Sequence, residues 1–202
     1  MQSRYKPTRF GDIQSMRQRA RWHHEIDAAT PSQGADAHFV LRMLNEALAT
    51  ELVCVLRYSR HFFTSGVDAA NEGIRHEFLR YSQEEQLHAD LIAERIMQLG
   101  GEPDFNPEGL AMRSHSEYAA GATLAEMLHQ DLLAERAVIN TYSTMIGRLD
   151  GKDPTTRRLL AAILVQEVEH AAELAELLAN LGPEAGNRGD DHETDSRQDR
   201  AS

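Results

Sequence analysis

The chain has 202 residues, a hydrophobic fraction of 41% and a formal net charge of −11, which suits one soluble domain with tails and leaves room for a sizeable core. No stretch approaches the roughly 18 uninterrupted apolar residues of a membrane span, and the first 25 residues lack the apolar run of a secretory signal. The single Cys54 excludes an internal disulfide framework and a four-cysteine metal site, so a reducing cytoplasm is the expected compartment.

Residues 1–35 read as a basic arm: between Met1 and Glu25 six basic residues oppose two acids, a charge of +4. Met16–Trp22 fits a short extra helix, with His23 and His24 at its surface. After the break at Pro31–Gly34, four segments at 36–64, 68–99, 122–149 and 154–181 are rich in Ala, Leu, Glu, Arg and Met, the strong helix formers. Their apolar residues recur at about 100° per residue: Leu41, Leu44, Leu48, Val55, Tyr58 and Phe62 in the first, Ile74, Phe78, Tyr81 and Ile92 in the second. Leu124, Leu128, Leu132, Val138, Ile139 and Tyr142 mark the third; Leu160, Ile163, Leu164, Leu174 and Leu177 mark the fourth.

End signals agree with these spans. Asp36 and Asp153 are placed to cap helix starts, Pro154 suits a first helical position, and Gly100 and Gly182 suit left-handed stops. Residues 183–202 carry three arginines against six acids and almost no apolar side chain, the composition of a disordered tail. The expected fold is all-α: an antiparallel four-helix bundle over residues 36–182, with one long crossover at about 100–121 between helices 2 and 3. Its body carries −12 once the arm (+4) and tail (−3) are set aside, a balance that suits cations and argues against a dedicated nucleic-acid domain.

Four glutamates interrupt the apolar stripes. Glu51 shares a stripe with Leu44, Val55 and Tyr58, and Glu85 with Phe78, Tyr81 and Ile92. Glu135 falls with Leu128 and Tyr142, and Glu167 with Leu160, Ile163 and Leu174. His88 and His170 follow Glu85 and Glu167 at i+3, on the same helix face. With 19 Glu and 10 His, composition alone predicts about one Glu-x-x-His, and three occur. The third, Glu126 with His129, lies on the opposite side of its helix from Glu135 and reads as a solvated copy, as do Glu46, Glu84, Glu94, Glu169 and Glu176 singly.

Glu51 to Glu85 spans 34 residues and Glu135 to Glu167 spans 32, so antiparallel hairpins bring four carboxylates and two imidazoles to one level. Unpaired carboxylates in an apolar interior cost several kcal/mol each. Two divalent cations balance the four charges, and a sulfur-free set of six oxygen and nitrogen donors with room for water or dioxygen favours iron or manganese over structural zinc.

These motifs resemble the ferritin-like superfamily, closest to the bacterioferritins: Thr-Glu-Leu-Val followed by Tyr at Glu51 and Tyr58, Glu-Glu-x-x-His-Ala-Asp at Glu84–Asp90, Asp-Leu-x-x-Glu at Asp131–Glu135, and Glu-x-x-His at Glu167–His170. The resemblance covers about residues 36–181 and implies a ferritin-like bundle holding two iron ions per subunit, manganese being the alternative metal. It assigns Glu51, Glu85 and His88 to one iron and Glu135, Glu167 and His170 to the other, with Glu85 and Glu167 bridging. It places Tyr58 beside the centre, and Glu84 and Asp131 are the candidates to orient the imidazoles. Gln86 stands where the family's haem-ligating methionine follows the second-helix glutamate, so no haem is expected. The family's short fifth helix has no counterpart in the polar tail, which leaves a 12-subunit shell as open as a 24-subunit one, or a smaller oligomer.

The expected activity is that of a ferroxidase, oxidising Fe(II) to Fe(III) with dioxygen or hydrogen peroxide for storage in a homo-oligomeric shell. One alternative is a Dps-like protein that binds and protects DNA through the basic arm. Another is a non-storage di-metal oxidoreductase similar to a manganese catalase. Cys54 reads as a core filler, and His115 and Tyr118 in the crossover carry no expected role.

Overall fold

The computed structural model describes residues 37–66 and 71–181. The basic arm, the cap expected at Asp36, the stop expected at Gly182 and the tail lie outside the described residues. Among the described residues five helices follow in order: α1 (Ala37–Thr64), α2 (Glu72–Gln98), α3 (Leu110–Arg113), α4 (Leu124–Arg148) and α5 (Pro154–Asn180). No strand occurs among the described residues. The four long helices match the four helix-forming segments, and the crossover differs from expectation in holding the one-turn α3.

The ends follow local chemistry. Asp153 caps α5 by accepting from the Thr156 backbone N–H at 3.0 Å, with Pro154 in the first turn. Gly100 takes φ 76° after α2 and lets its N–H reach the Met97 carbonyl, as a left-handed stop requires. Gly121 (φ 59°) enters α4 where an added Cβ would come within 2.9 Å of the Met127 backbone, so no larger residue fits this turn. Thr123 and Glu126 then close a reciprocal capping box at the start of α4. This explains the third Glu-x-x-His: Glu126 is a cap, and both it and His129 are exposed.

Cross-helix contacts define the direction of each helix. Ser59 meets Ser82 and Arg75 reaches the Phe62 carbonyl, so α1 and α2 run antiparallel. Tyr58 meets Glu135 and Tyr142 meets Glu51, so α1 and α4 do too. Glu84 meets His170 and Arg95 meets Thr156, so α2 and α5 are also antiparallel. Helices α2 and α4 are therefore parallel, and the chain must travel the length of the bundle between them, which is the physical reason for the long crossover. The core that joins the four helices includes Leu44, Leu48, Phe78, Tyr81, Ile92, Leu128, Tyr142, Leu160 and Ile163, all fully buried. No helix among the described residues is long and apolar enough to cross a membrane.

Candidate metal centre

Each long helix delivers one glutamate to the bundle interior at a common level. Glu51, Glu85, Glu135 and Glu167 are 0–1% exposed, while His88 and His170, one turn beyond Glu85 and Glu167, are 1% and 3% exposed. Donor atoms of Glu51, Glu85, His88 and Glu167 lie within 4.8 Å of one another, and so do those of Glu85, Glu135, Glu167 and His170. The fold thus brings all six side chains singled out in the sequence into two overlapping four-donor groups that share Glu85 and Glu167.

The donors are short of partners. Glu51 Oε2, Glu85 Oε1, Glu135 Oε2, both oxygens of Glu167 and His170 Nδ1 are buried without a hydrogen bond. Several are close without being bonded: His88 Nδ1 is 3.0 Å from Glu167 and 3.5 Å from Glu51, and His170 Nδ1 is 3.2 Å from Glu85. Buried polar atoms ordinarily find partners, so orphaned oxygens aimed at a shared point are the environment a hard or borderline cation completes. The residues present therefore fit a pair of divalent ions.

Without a cation, protons must take up the charge. Burial, reinforced by the charges of Glu167 and Glu85, pushes Glu51 and Glu135 well above the usual carboxylate range. Burial works in the same direction on Glu85, but the close His170 and His88 imidazoles outweigh it and hold Glu85 well below that range. Glu167 is also lowered: burial and Glu85 oppose its ionisation, and His88 and His170 prevail. The imidazoles respond in turn. Burial disfavours their cationic form, yet the surrounding carboxylates raise His88 well above its ordinary value and His170 to about 12. The raised carboxyls and imidazoles thus favour keeping protons, which offsets the charge of Glu85 and Glu167 in the metal-free centre.

Two tyrosines close the cluster. Tyr58, on α1, donates its hydroxyl to Glu135 Oε1 on α4, and Tyr142, on α4, donates to Glu51 Oε1 on α1. Burial first, and the adjacent carboxylate second, keeps both phenols protonated. Tyr142 was legible only as part of an apolar stripe. The signal that finds it is internal repetition, because Tyr142 follows Glu135 by seven residues as Tyr58 follows Glu51.

The outer nitrogens of the histidines also have partners. His170 Nε2 lies 2.8 Å from Glu84 Oε2, and His88 Nε2 lies 2.7 Å from Gln166 Oε1. Glu84, expected both on the solvated face and as an orienting residue, is half-buried and does the latter. Gln166 escaped the sequence reading, although it precedes Glu167 as Glu84 precedes Glu85.

Asp131 requires a correction. It touches neither His88 nor His170; its carboxylate accepts from Arg57 Nε at 2.7 Å and lies 2.8 Å from His61 Nδ1, all three side chains being fully buried. Arg57 continues to the Ser116 hydroxyl and the Glu117 carbonyl, and His61 Nε2 to the Ala120 carbonyl. The fixed cation of Arg57 relieves the charge of this buried carboxylate, and its second oxygen takes the His61 imidazole of α1 rather than either cluster histidine. Asp131 therefore fastens the crossover to α1 and α4. His115 belongs to the same crossover, with its backbone N–H donating to the Thr50 hydroxyl at 3.0 Å. Cys54 is buried in the core, as expected.

Comparison with known proteins agrees with the fold. A family model described as the ferritin-like domain matches residues 41–182. A nutrient stress-induced DNA-binding protein of Synechococcus sp. is 34% identical over 140 residues, 67% of this chain and 78% of the relative. The bacterioferritin of Mycobacterium leprae is 32% identical over 147 residues, 71% of this chain and 86% of the relative. A dodecameric thioferritin, the bacterioferritin-related protein of Bacteroides fragilis, shares the fold with a TM-score of 0.68 at 26% identity, over 78% of this chain and 93% of that one. On the extent of these matches, the chain belongs to the ferritin-like superfamily and to the bacterioferritin family within it.

Proposed function

We propose that the protein is an iron-oxidising storage protein, a ferroxidase that takes Fe(II) as substrate and retains the Fe(III) product in a homo-oligomeric shell. The observation that carries this reading is the pair of overlapping donor groups with their orphaned carboxylate oxygens. Glu51, Glu85 and His88 hold one iron and Glu135, Glu167 and His170 the other, with Glu85 and Glu167 bridging. Two Fe(II) held together supply two electrons at once, enough to reduce dioxygen to hydrogen peroxide, or peroxide to two waters, with two protons taken up.

The chain's own residues provide the rest. The two bridging carboxylates set the separation of the cations, and Glu84 and Gln166 keep the imidazole Nδ1 atoms directed inward. Tyr58 and Tyr142 hold protons against Glu135 and Glu51, and Tyr58 is the residue we assign to supply an electron. The dodecameric relative supports a 12-subunit shell, the smaller of the two shells considered.

The test combines anaerobic loading, rapid mixing with dioxygen or peroxide, and solution mass. Oxidation of two Fe(II) per chain in a first phase, then retention of many irons per chain in a large oligomer, is the expected result. Uptake of manganese alone, with no iron oxidised, would overturn the reading in favour of a non-storage di-metal oxidoreductase. A second reading, protection of DNA, is favoured by the Synechococcus relative and by the +4 charge of residues 1–25. Counterion release makes such binding steeply salt dependent, so mobility shifts across a salt series distinguish it from storage alone.

A further inference from the structure

The centre is a near-twofold arrangement. Glu51 with Tyr58 corresponds to Glu135 with Tyr142, and Glu85 with His88 corresponds to Glu167 with His170. In each half, the residue just before the Glu-x-x-His glutamate crosses to the other half's histidine: Glu84 to His170 and Gln166 to His88. At this pair the two halves differ in charge.

We infer that the two metal positions are unequal and that the position of His170, with Glu135, fills before that of His88, with Glu51; this rests on the metal-binding reading above. An imidazole whose outer N–H points at a carboxylate is a better electron donor to a cation than one pointing at an amide oxygen, and outer partners of this kind typically change metal affinity ~10–100-fold. Glu84 supplies the carboxylate at 2.8 Å and Gln166 only the amide at 2.7 Å. Glu84 is held in place by Arg80, 2.9 Å away, whose guanidinium is shared with Glu77 and Glu173. Three carboxylates around one cation keep this side of the centre anionic. His170 is further fixed by the edge of Tyr81, with ring centroids 4.9 Å apart, and the Tyr81 hydroxyl bonds to Glu173. The outer nitrogen of His88 meets the neutral amide of Gln166 instead.

The consequence is an order of filling. A tightly held cation in the His170 position completes both bridging carboxylates, and the His88 position then receives a second, more readily exchanged cation.

Anaerobic titration of the metal-free full-length protein with Co(II), followed by visible absorbance and calorimetry, tests this. Two phases separated by ~10-fold or more in affinity are expected. Glu84→Gln should weaken the first phase and bring the two within ~3-fold, whereas Gln166→Glu should tighten the second and bring them together from the other side. Anomalous scattering from crystals holding one equivalent of Co(II) should place it beside His170. A single phase in the unaltered protein, equal weakening of both phases by Glu84→Gln, or cobalt beside His88 would overturn the inference while leaving the metal-binding reading intact. Failure to bind Co(II), Fe(II) or Mn(II) at all would instead remove that reading.

Discussion

The hydroxyl of Tyr142 donates to Glu51 across the bundle, as Tyr58 donates to Glu135 in the opposite direction. Each bond supplies the one partner available to a fully buried carboxylate whose other oxygen has no hydrogen bond. Tyr142→Phe should therefore lower the stability of the metal-free protein by about 1–3 kcal/mol in chemical denaturation. The loss should shrink when a divalent cation is added, because the cation then satisfies Glu51. An equal penalty with and without metal would mean that Glu51 is not engaged by it.

Stability of the metal-free protein should fall as pH rises above about 6.5. His88 and His170 have folded-state values raised above 6.5, and Glu51 and Glu135 values raised above 4.5, so over this range the folded chain holds more protons than the unfolded one. Their contribution is complete below the unfolded values and disappears as pH climbs through the folded ones. Glu85 and Glu167 are lowered, so theirs is present above 4.5 and is lost on acidification. Thermal unfolding from pH 4 to 9 should show a maximum, with an alkaline decline that added metal removes.

Metal binding should release protons. Loading two cations displaces those held by Glu51, Glu135, His88 and His170, so affinity should rise with pH. Calorimetry in buffers of different ionisation enthalpy gives the number directly. A pH-independent affinity would show that the cations bind elsewhere.

Asp131→Ala should leave Arg57 buried and unpaired, at a cost of about 3–5 kcal/mol. Because Asp131 contacts neither cluster histidine, the variant should still bind two divalent ions per folded chain. Limited proteolysis should cut it faster within residues 114–121, the stretch that Arg57 and His61 fasten. Loss of metal binding from a fully folded variant would restore Asp131 to an imidazole-orienting role.

Thr123→Ala should lower stability by about 1 kcal/mol through loss of the capping box, and His129→Ala should change it little. Neither should alter the metal stoichiometry, because Glu126 and His129 face solvent. A fall in bound metal in either variant would contradict the capping assignment.

Much of this was legible in one dimension because helices repeat. A glutamate placed among Leu and Tyr at 100° intervals declares itself buried, and four such placements at matching spacings locate a level in the bundle. Capping by Asp153 and the stop at Gly100 are equally local, each depending on one residue's reach or φ. Tyr142 and Gln166 were recoverable only by aligning one half of the chain with the other. Asp131 was not recoverable, because its pairing with Arg57 and His61 rather than a cluster histidine depends on which side chains of α1 lie opposite it, 74 and 70 residues away.

The amino-acid order by itself determined four long helices, the cap at Asp153 and the stop at Gly100, and six side chains that burial would leave charged, because propensity, capping and helical period act over a few residues. Only the tertiary structure decided which helix faces which, that Tyr142 and Tyr58 each secure a carboxylate, and that Glu84 and Gln166 divide the two histidines between an anion and an amide. Those choices are made by antiparallel packing, which sets the register between surfaces far apart in the chain, and through it the charge felt by each imidazole.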